Sequence, residues 1–247
     1  MRNFPPDVAA TAQAWFDEPI QTIAVPAIGA FGPTADGAAA VDLPGGMKGF
    51  IKPRDHAAES GMVAREKICA DLGHVLGLPV APGVVRRPDP GAGWNHHGFI
   101  SLVASPSARI WHTPPPLELA TLAPQLEALR VLWSWTGDAD HNGNAGNLLR
   151  VDGGTPSVLS IDHSYTLDHN NPPDPLVIGA AAGYGSAGLV EGAAARREMV
   201  ERVKSLPWDV VEGLVRRLSE ILTVERQDRI LAILNARRGA LDTRFGL

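Results

Sequence analysis

Cysteine is almost missing from this chain of 247 residues, with Cys69 its only example. That count alone excludes an intramolecular disulfide and a multi-cysteine zinc site. Between Ile68 and Ala70, the lone thiol reads as a small core residue. No run of about 18 apolar residues exists to cross a bilayer, and Met1 to Phe16 lacks the charged-then-apolar pattern of a leader. A cytoplasmic location is the resulting expectation. Excess positive charge is lacking too: the net charge is −5 and the pI about 5.9, so there is no whole-chain footprint for nucleic acid. Lysine is scarce, limited to Lys48, Lys52, Lys67 and Lys204, and arginine supplies most of the cationic groups.

The composition that remains, 45% hydrophobic and 20% charged, argues for a folded protein rather than a disordered one. The length suits one large domain or two small lobes sharing a cleft. Residues 1 to about 105 are rich in Gly, Pro and Ala, with short apolar runs. Ile20–Ile28, Gly37–Leu43, Gly49–Lys52, Val80–Arg86 and Gly98–Val103 read as strands between turns, the last two as a hairpin around Pro88-Asp89-Pro90-Gly91. One helix interrupts them. Over Ala58–Leu76, apolar Met62, Val63, Ile68, Cys69, Leu72, Val75 and Leu76 recur at three-to-four spacing, and Gly77 and Pro79 end the run.

Ser105–Pro116, with four prolines, reads as a connector. Helical patterns follow at Leu117–Trp135, Trp208–Leu222 and Val224–Leu241. A polar loop at Gly137–Asn147 and a strand-like pair, Leu148–Val151 and Val158–Ile161, lie between them; Ile178–Ala195 has no clear period. The expected architecture is α+β and two-lobed: a β-rich lobe with one helix over 1–104, a connector over 105–116 and a mainly helical lobe over 117–247. Two dissimilar lobes with a cleft between them form a natural nucleotide site.

Gly137-Asp138-Ala139-Asp140-His141-Asn142-Gly143-Asn144-Ala145-Gly146-Asn147 is the densest polar cluster. Asp and Asn at this density suit an oxygen-loving divalent cation, although the same residues also make solvated turns. The start resembles a helix–loop–helix calcium loop, but the closing twelfth position is Leu149, which cannot coordinate. A second acid, Asp162, follows an apolar strand in Ser160-Ile161-Asp162-His163-Ser164. Phosphoryl transfer is mostly positioning and charge neutralisation. It uses a loop Asp for the acceptor hydroxyl, an Asn a few residues on for metal, and a strand-end Asp for the same metal.

Such a site also needs a lysine on a strand and a helical glutamate to hold it. Lys52, in Phe50-Ile51-Lys52-Pro53, and Glu66, fourteen residues on, fit those places; Lys48 and Glu59 are the alternatives. Gly29-Ala30-Phe31-Gly32 or Gly45-Gly46 could approach phosphate, without following a kinase glycine pattern. His141 and His163 could bind a transition metal with the carboxylates, or orient the acids by hydrogen bonding. His96 and His97 fall at the hairpin tip.

Together, Phe50–Pro53, Glu66 through Leu76-Gly77-Leu78-Pro79-Val80, Asp140-His141 through Gly146-Asn147-Leu148-Leu149, and Ile161-Asp162-His163-Ser164 resemble the HipA-like kinases, a bacterial branch of the protein-kinase-like fold. The resemblance spans about residues 45 to 170. It implies that Lys52 contacts nucleotide phosphates, Glu66 pairs with Lys52, Asp140 is the catalytic acid/base, and Asn147 and Asp162 hold Mg²⁺. The family loop reads Asp-Arg-His-x-x-Asn, whereas Asp140 and Asn147 here stand two residues further apart and the arginine is absent. Asn142 in the catalytic place, or Asp138 with Asn144 at lipid-kinase-like spacing, are the other alignments. The implied activity is ATP- and Mg²⁺-dependent transfer to a hydroxyl of a protein, peptide or small molecule. A pseudokinase acting as a nucleotide-binding regulatory module and a metal-dependent hydrolase are the rival readings.

Overall fold

A computed structural model describes residues 4, 6–23, 25, 38–52, 61–92, 95–102, 108–112, 116–142, 144–151, 157–168 and 189–247. The N-terminal part is a five-stranded sheet formed by β1 (Ile20–Gln21), β2 (Ala39–Asp42), β3 (Lys48–Lys52), β4 (Gly83–Arg86) and β5 (Gly98–Leu102). Their spatial order is β1-β4-β5-β3-β2, with β1 parallel to β4 and the other pairs antiparallel. The expected β4–β5 hairpin is present. Glu59 and Gly29–Gly32 lie outside the described residues, as do Ala24 and residues 26–28 of the first expected strand.

Strand periodicity sets which face each side chain takes. Ala39, Val41, Ile51, Val84 and Ile100 share one face with Val8 and Trp15 of α1 (Pro6–Asp17), in one apolar cluster. Ile51 therefore turns its neighbour Lys52 to the opposite face, beside its cross-strand partner Phe99. Helix α2 (Gly61–Val75) covers that face and is buried at every position from Gly61 to Gly73. At Gly77, a φ of +66° suits glycine and ends the helix, as the sequence signals.

α1 is a second helix in the N-terminal half, where the sequence reading expected one. Its stripe of Val8, Ala12 and Trp15 follows Pro6 at the first helical position, a legible but short signal. Lys67 of α2 explains its placement. This lysine is wholly buried and donates to Trp15 O at the end of α1, Gly83 O of β4 and Asp71 Oδ1, at 2.9, 3.0 and 2.7 Å. Arg217 also holds Asp71, at 2.5 Å, and donates to Phe16 O. Lys67→Met should cost about 3 kcal/mol in denaturant unfolding, because it leaves two buried carbonyls without a donor. A loss below about 1 kcal/mol would show that water replaces the ammonium.

The expected connector carries β6 (Ala108–Ile110), which joins β7 (Leu148–Val151) and β8 (Ser157–Ser160) in a second, antiparallel sheet. Residues 105–107 and 113–115 of that connector lie outside the described residues. Beyond it are α3 (Pro116–Thr136), α4 (Ala193–Ser205), α5 (Trp208–Arg216), α6 (Val224–Gly239) and α7 (Leu241–Phe245). The sequence reading missed α4, whose stripe is only Met199, Val200 and Val203, and it ran α5 too far. The largest apolar cluster includes α2, α3 and these later helices, so both halves share one core.

Candidate active site

The two halves are sewn together beside the future site. Ser160, the last residue of β8, donates its N–H to Pro79 O and accepts from Ala81 N–H, at 2.8 and 2.9 Å. Ile161 N–H then bonds to Asn147 O at 2.9 Å. Asp162 comes next, in a left-handed conformation with φ +60°, which Asp tolerates better than most residues but which still carries strain. This turn aims its carboxylate at Lys52.

Lys52 Nζ stands 2.7 Å from Glu66 Oε1 and 2.6 Å from Asp162 Oδ1. Burial by itself would lower the lysine's pKa, but the two carboxylates hold it above the usual lysine range. Burial would likewise raise Asp162, and Lys52 holds it below the ordinary carboxylate value. Glu66 Oε2 accepts from His163 N–H at 2.9 Å, so one carboxylate binds both the strand lysine and the residue after Asp162. Lys48, by contrast, is exposed and paired with Asp42. Ser164, which ends the Ser160–Ser164 stretch, is a further residue of the site. Its hydroxyl lies among Lys52 (3.1 Å), Asp162 (2.5 Å) and Glu66 (3.3 Å), and its place two residues after Asp162 was the available signal.

The loop solves the two-residue excess by folding into two short 3-10 turns, Ala139–Asn142 and Ala145–Asn147. Asn144 N–H bonds to Asp140 O, and Asn144 Oδ1 accepts from Gly146 N–H, both at 3.0 Å. The extra residues are taken up there, and Asn147 returns to Asp140, with Nδ2 donating to Oδ2 at 2.6 Å. The same Nδ2 reaches Asp162 O at 3.4 Å. With its N–H groups used in this way, Asn147 has its Oδ1 left to offer a cation. Asp162 Oδ1 faces Lys52 and Ser164, which leaves Oδ2 as its second hard oxygen. An amide oxygen and a carboxylate oxygen fit Mg²⁺ or Mn²⁺. Asn144 is exposed and reaches Asp140 Oδ2 only at 3.4 Å. The side chain of Asn142 lies outside the described residues.

Asp138 occupies a different environment. It has no exposure, and His163 Nδ1 lies 2.6 Å from its Oδ2. His141 Nδ1 is 2.9 Å from Oδ1, but too oblique for a good hydrogen bond. The two imidazoles stack 5.0 Å apart, and their Nε2 atoms both face Ser160 Oγ, at 3.0 Å for His141 and 3.3 Å for His163. Trp133 Nε1–H also donates to that hydroxyl. A hydroxyl accepts two bonds and donates one. Burial would lower the His163 pKa, but the Asp138 carboxylate holds it above the ordinary histidine value. Asp138, His163, Ser160 and His141 thus form a buried ring, hydrogen-bonded on three sides, with His141 Nδ1 facing Asp138 on the fourth.

Asp138, His141 and His163 could also be taken for metal ligands, since their donor atoms lie within 4.8 Å of one another. Their N–O separations are hydrogen-bonding distances, shorter than the roughly 3.3 Å edge of a tetrahedral zinc shell. Asp138 is buried in this ring, whereas Asp140 is half-buried on the loop.

Stability should carry the mark of the Asp138–His163 pair. Asp138 is held far below its ordinary 3.8, first against burial and then by the imidazoles, so its contribution is lost only on strong acidification. His163 is raised above 6.5, so its contribution is complete below that pH and disappears as pH rises through the folded value. The stability gap between wild type and Asp138→Asn should be widest near pH 5 to 6 and narrow towards pH 9. Urea unfolding across that range tests this; a constant gap would mean that His163 is neutral throughout.

No family model matches the chain, and no curated protein matches it. Among solved structures it is similar to the Golgi casein kinase, with a TM-score of 0.58 at 10% identity over 96% of this chain and 77% of that one. It is also similar to the Golgi casein kinase with Mn/ADP bound, with a TM-score of 0.57, the same identity and the same coverage. WaaP in complex with acyl carrier protein aligns at 16% identity over 94% of this chain and 91% of that one, with a TM-score of only 0.36. The likeness to the casein kinase shows a kinase-like α+β fold, with an N-terminal five-stranded sheet and a helical C-terminal part.

Proposed function

We propose that this chain is an ATP- and Mg²⁺-dependent phosphotransferase acting on a hydroxyl, a HipA-like kinase divided into lobes at residues 105–116. The observation that carries the reading is convergence: the Lys52 ammonium lies within 2.7 Å of both Glu66 and Asp162, while Asp140 and Asn147 bond to each other beside Asp162. Lys52 binds the α- and β-phosphates, and Glu66 keeps it from straying. A narrow cleft walled by Lys52, Ala81, Phe99, Ile161 and Asp162 lies beside that cation. Asn147 Oδ1 and Asp162 hold the cation, which when bound neutralises charge on the phosphates. Asp140 accepts the proton of the attacking hydroxyl, held in position by Asn147.

The Mn/ADP-bound casein kinase supports a nucleotide and a divalent metal in a fold of this kind. The HipA-like branch rests on the four sequence stretches. Incubation with γ-labelled ATP and Mg²⁺, with and without hydroxyl-bearing proteins, peptides and metabolites, is the test. Transfer of label, or release of phosphate to water, is the expected result. Nucleotide bound with neither outcome would make the protein a regulatory pseudokinase, and no binding would remove the reading.

A further inference from the structure

Three charges link α2 to the helical part. Asp168, six residues after Asp162, has a side chain only 4% exposed. Arg226 of α6 approaches it with Nε at 2.7 Å from Oδ2, and Arg65 of α2 approaches Oδ1 with Nη1 at 3.5 Å. Arg65 also donates Nε–H to Ser164 O at 2.6 Å. Ser164 carries the hydroxyl shared by Lys52, Asp162 and Glu66, and Glu66 is the residue after Arg65. A cation on the last long helix is therefore coupled through one buried carboxylate to the glutamate that holds the nucleotide lysine.

The local packing is built around this contact. Gly61 opens α2 beneath the Arg226 guanidinium, and a Cβ there would lie 1.7 Å from Arg226 Nη2 and 2.7 Å from Arg65 Nη1. Any side chain at 61 displaces the arginine. Glycine is a poor helix residue, so its presence at this spot trades helix propensity for the close approach. The neighbouring cations repel each other, and Asp168 between them, with Glu66 adding to it at Arg65, offsets that repulsion.

We infer that Arg226, Asp168 and Arg65 form a latch across the two halves that sets the reach of Glu66 to Lys52, which makes Asp168 a positioning residue for nucleotide binding. The inference rests on the phosphotransfer reading for its functional consequence but not for its structural one. Asp168→Asn removes the charge at constant shape, and Gly61→Ala evicts Arg226 without touching a charge. Gly61 opens α2, so the amide exchange of α2 in Gly61→Ala reads any change in the helix start separately from the loss of the Arg226 contact.

The measurements are Mg²⁺-dependent binding of a fluorescent ATP analogue and amide exchange along α2 and α3. Both variants should bind on the order of tenfold more weakly, with faster exchange in α2 and unchanged exchange in α3. If the latch works through Glu66, Asp168→Asn added to Glu66→Gln costs nothing further; a purely structural role gives additive losses. Wild-type affinity with wild-type α2 exchange in both variants, or additivity, overturns the latch. If the wild-type protein binds no nucleotide, the phosphotransfer reading fails by itself, and α2 exchange alone decides the latch.

Discussion

Asp162→Ala should abolish nucleotide turnover, with activity falling at least about 10³-fold and excess Mg²⁺ unable to restore it. The substitution removes the strand-end carboxylate, which is the charged half of the cation site. It also takes away one of the two anions facing Lys52. Alanine tolerates the left-handed φ of +60° less well than aspartate, so the variant's unfolding is measured beside its turnover to separate the two losses. Calorimetry with Mg²⁺ and a non-hydrolysable ATP analogue should show the metal's contribution to affinity gone. Turnover within tenfold of wild type would sink the assignment of Asp162.

Asp140→Ala should separate binding from chemistry. Asp140 bonds to Asn147 and Asn144, whereas Lys52 pairs with Glu66 and Asp162, so nucleotide affinity should stay within about threefold of wild type. The chemical step should slow by roughly 10²- to 10⁴-fold, the usual worth of a positioned general base. Single-turnover kinetics at saturating ATP read this directly. Equal loss of affinity and rate would instead make Asp140 a metal ligand, and no loss of either would disqualify it. Asp138→Ala serves as the contrast, because it should damage stability before it damages chemistry.

Much of this was legible in the residues. Lys52 could be placed because strand periodicity and lysine scarcity left few candidates, and Glu66 because α2 is the helix that follows. β7 and β8 lead into Asp162, as their apolar runs suggest. The loop register was not legible. Three alignments of Asp138, Asp140, Asn142, Asn144 and Asn147 were open, and only the fold of the two turns shows which acid meets which amide. The ring around Asp138 was equally hidden, since it needs Ser160 and Trp133 from other elements. α1 was missed because its apolar stripe is three residues long, and what fixes it is a lysine buried fifty residues away in sequence. Long-range polar partners leave no local period to read.

The direct approach of Lys52 to Asp162 has a consequence for the order in which ligands arrive. The ammonium bonds Oδ1 and draws charge from the whole carboxylate, so Oδ2 offers a lone divalent ion a weaker anion than a free aspartate would. A nucleotide that carries its own ion brings anionic oxygens for the lysine and releases the carboxylate in the same movement. Metal and triphosphate should therefore enter as one package, and a cell poor in nucleotide would find this protein indifferent to its free magnesium.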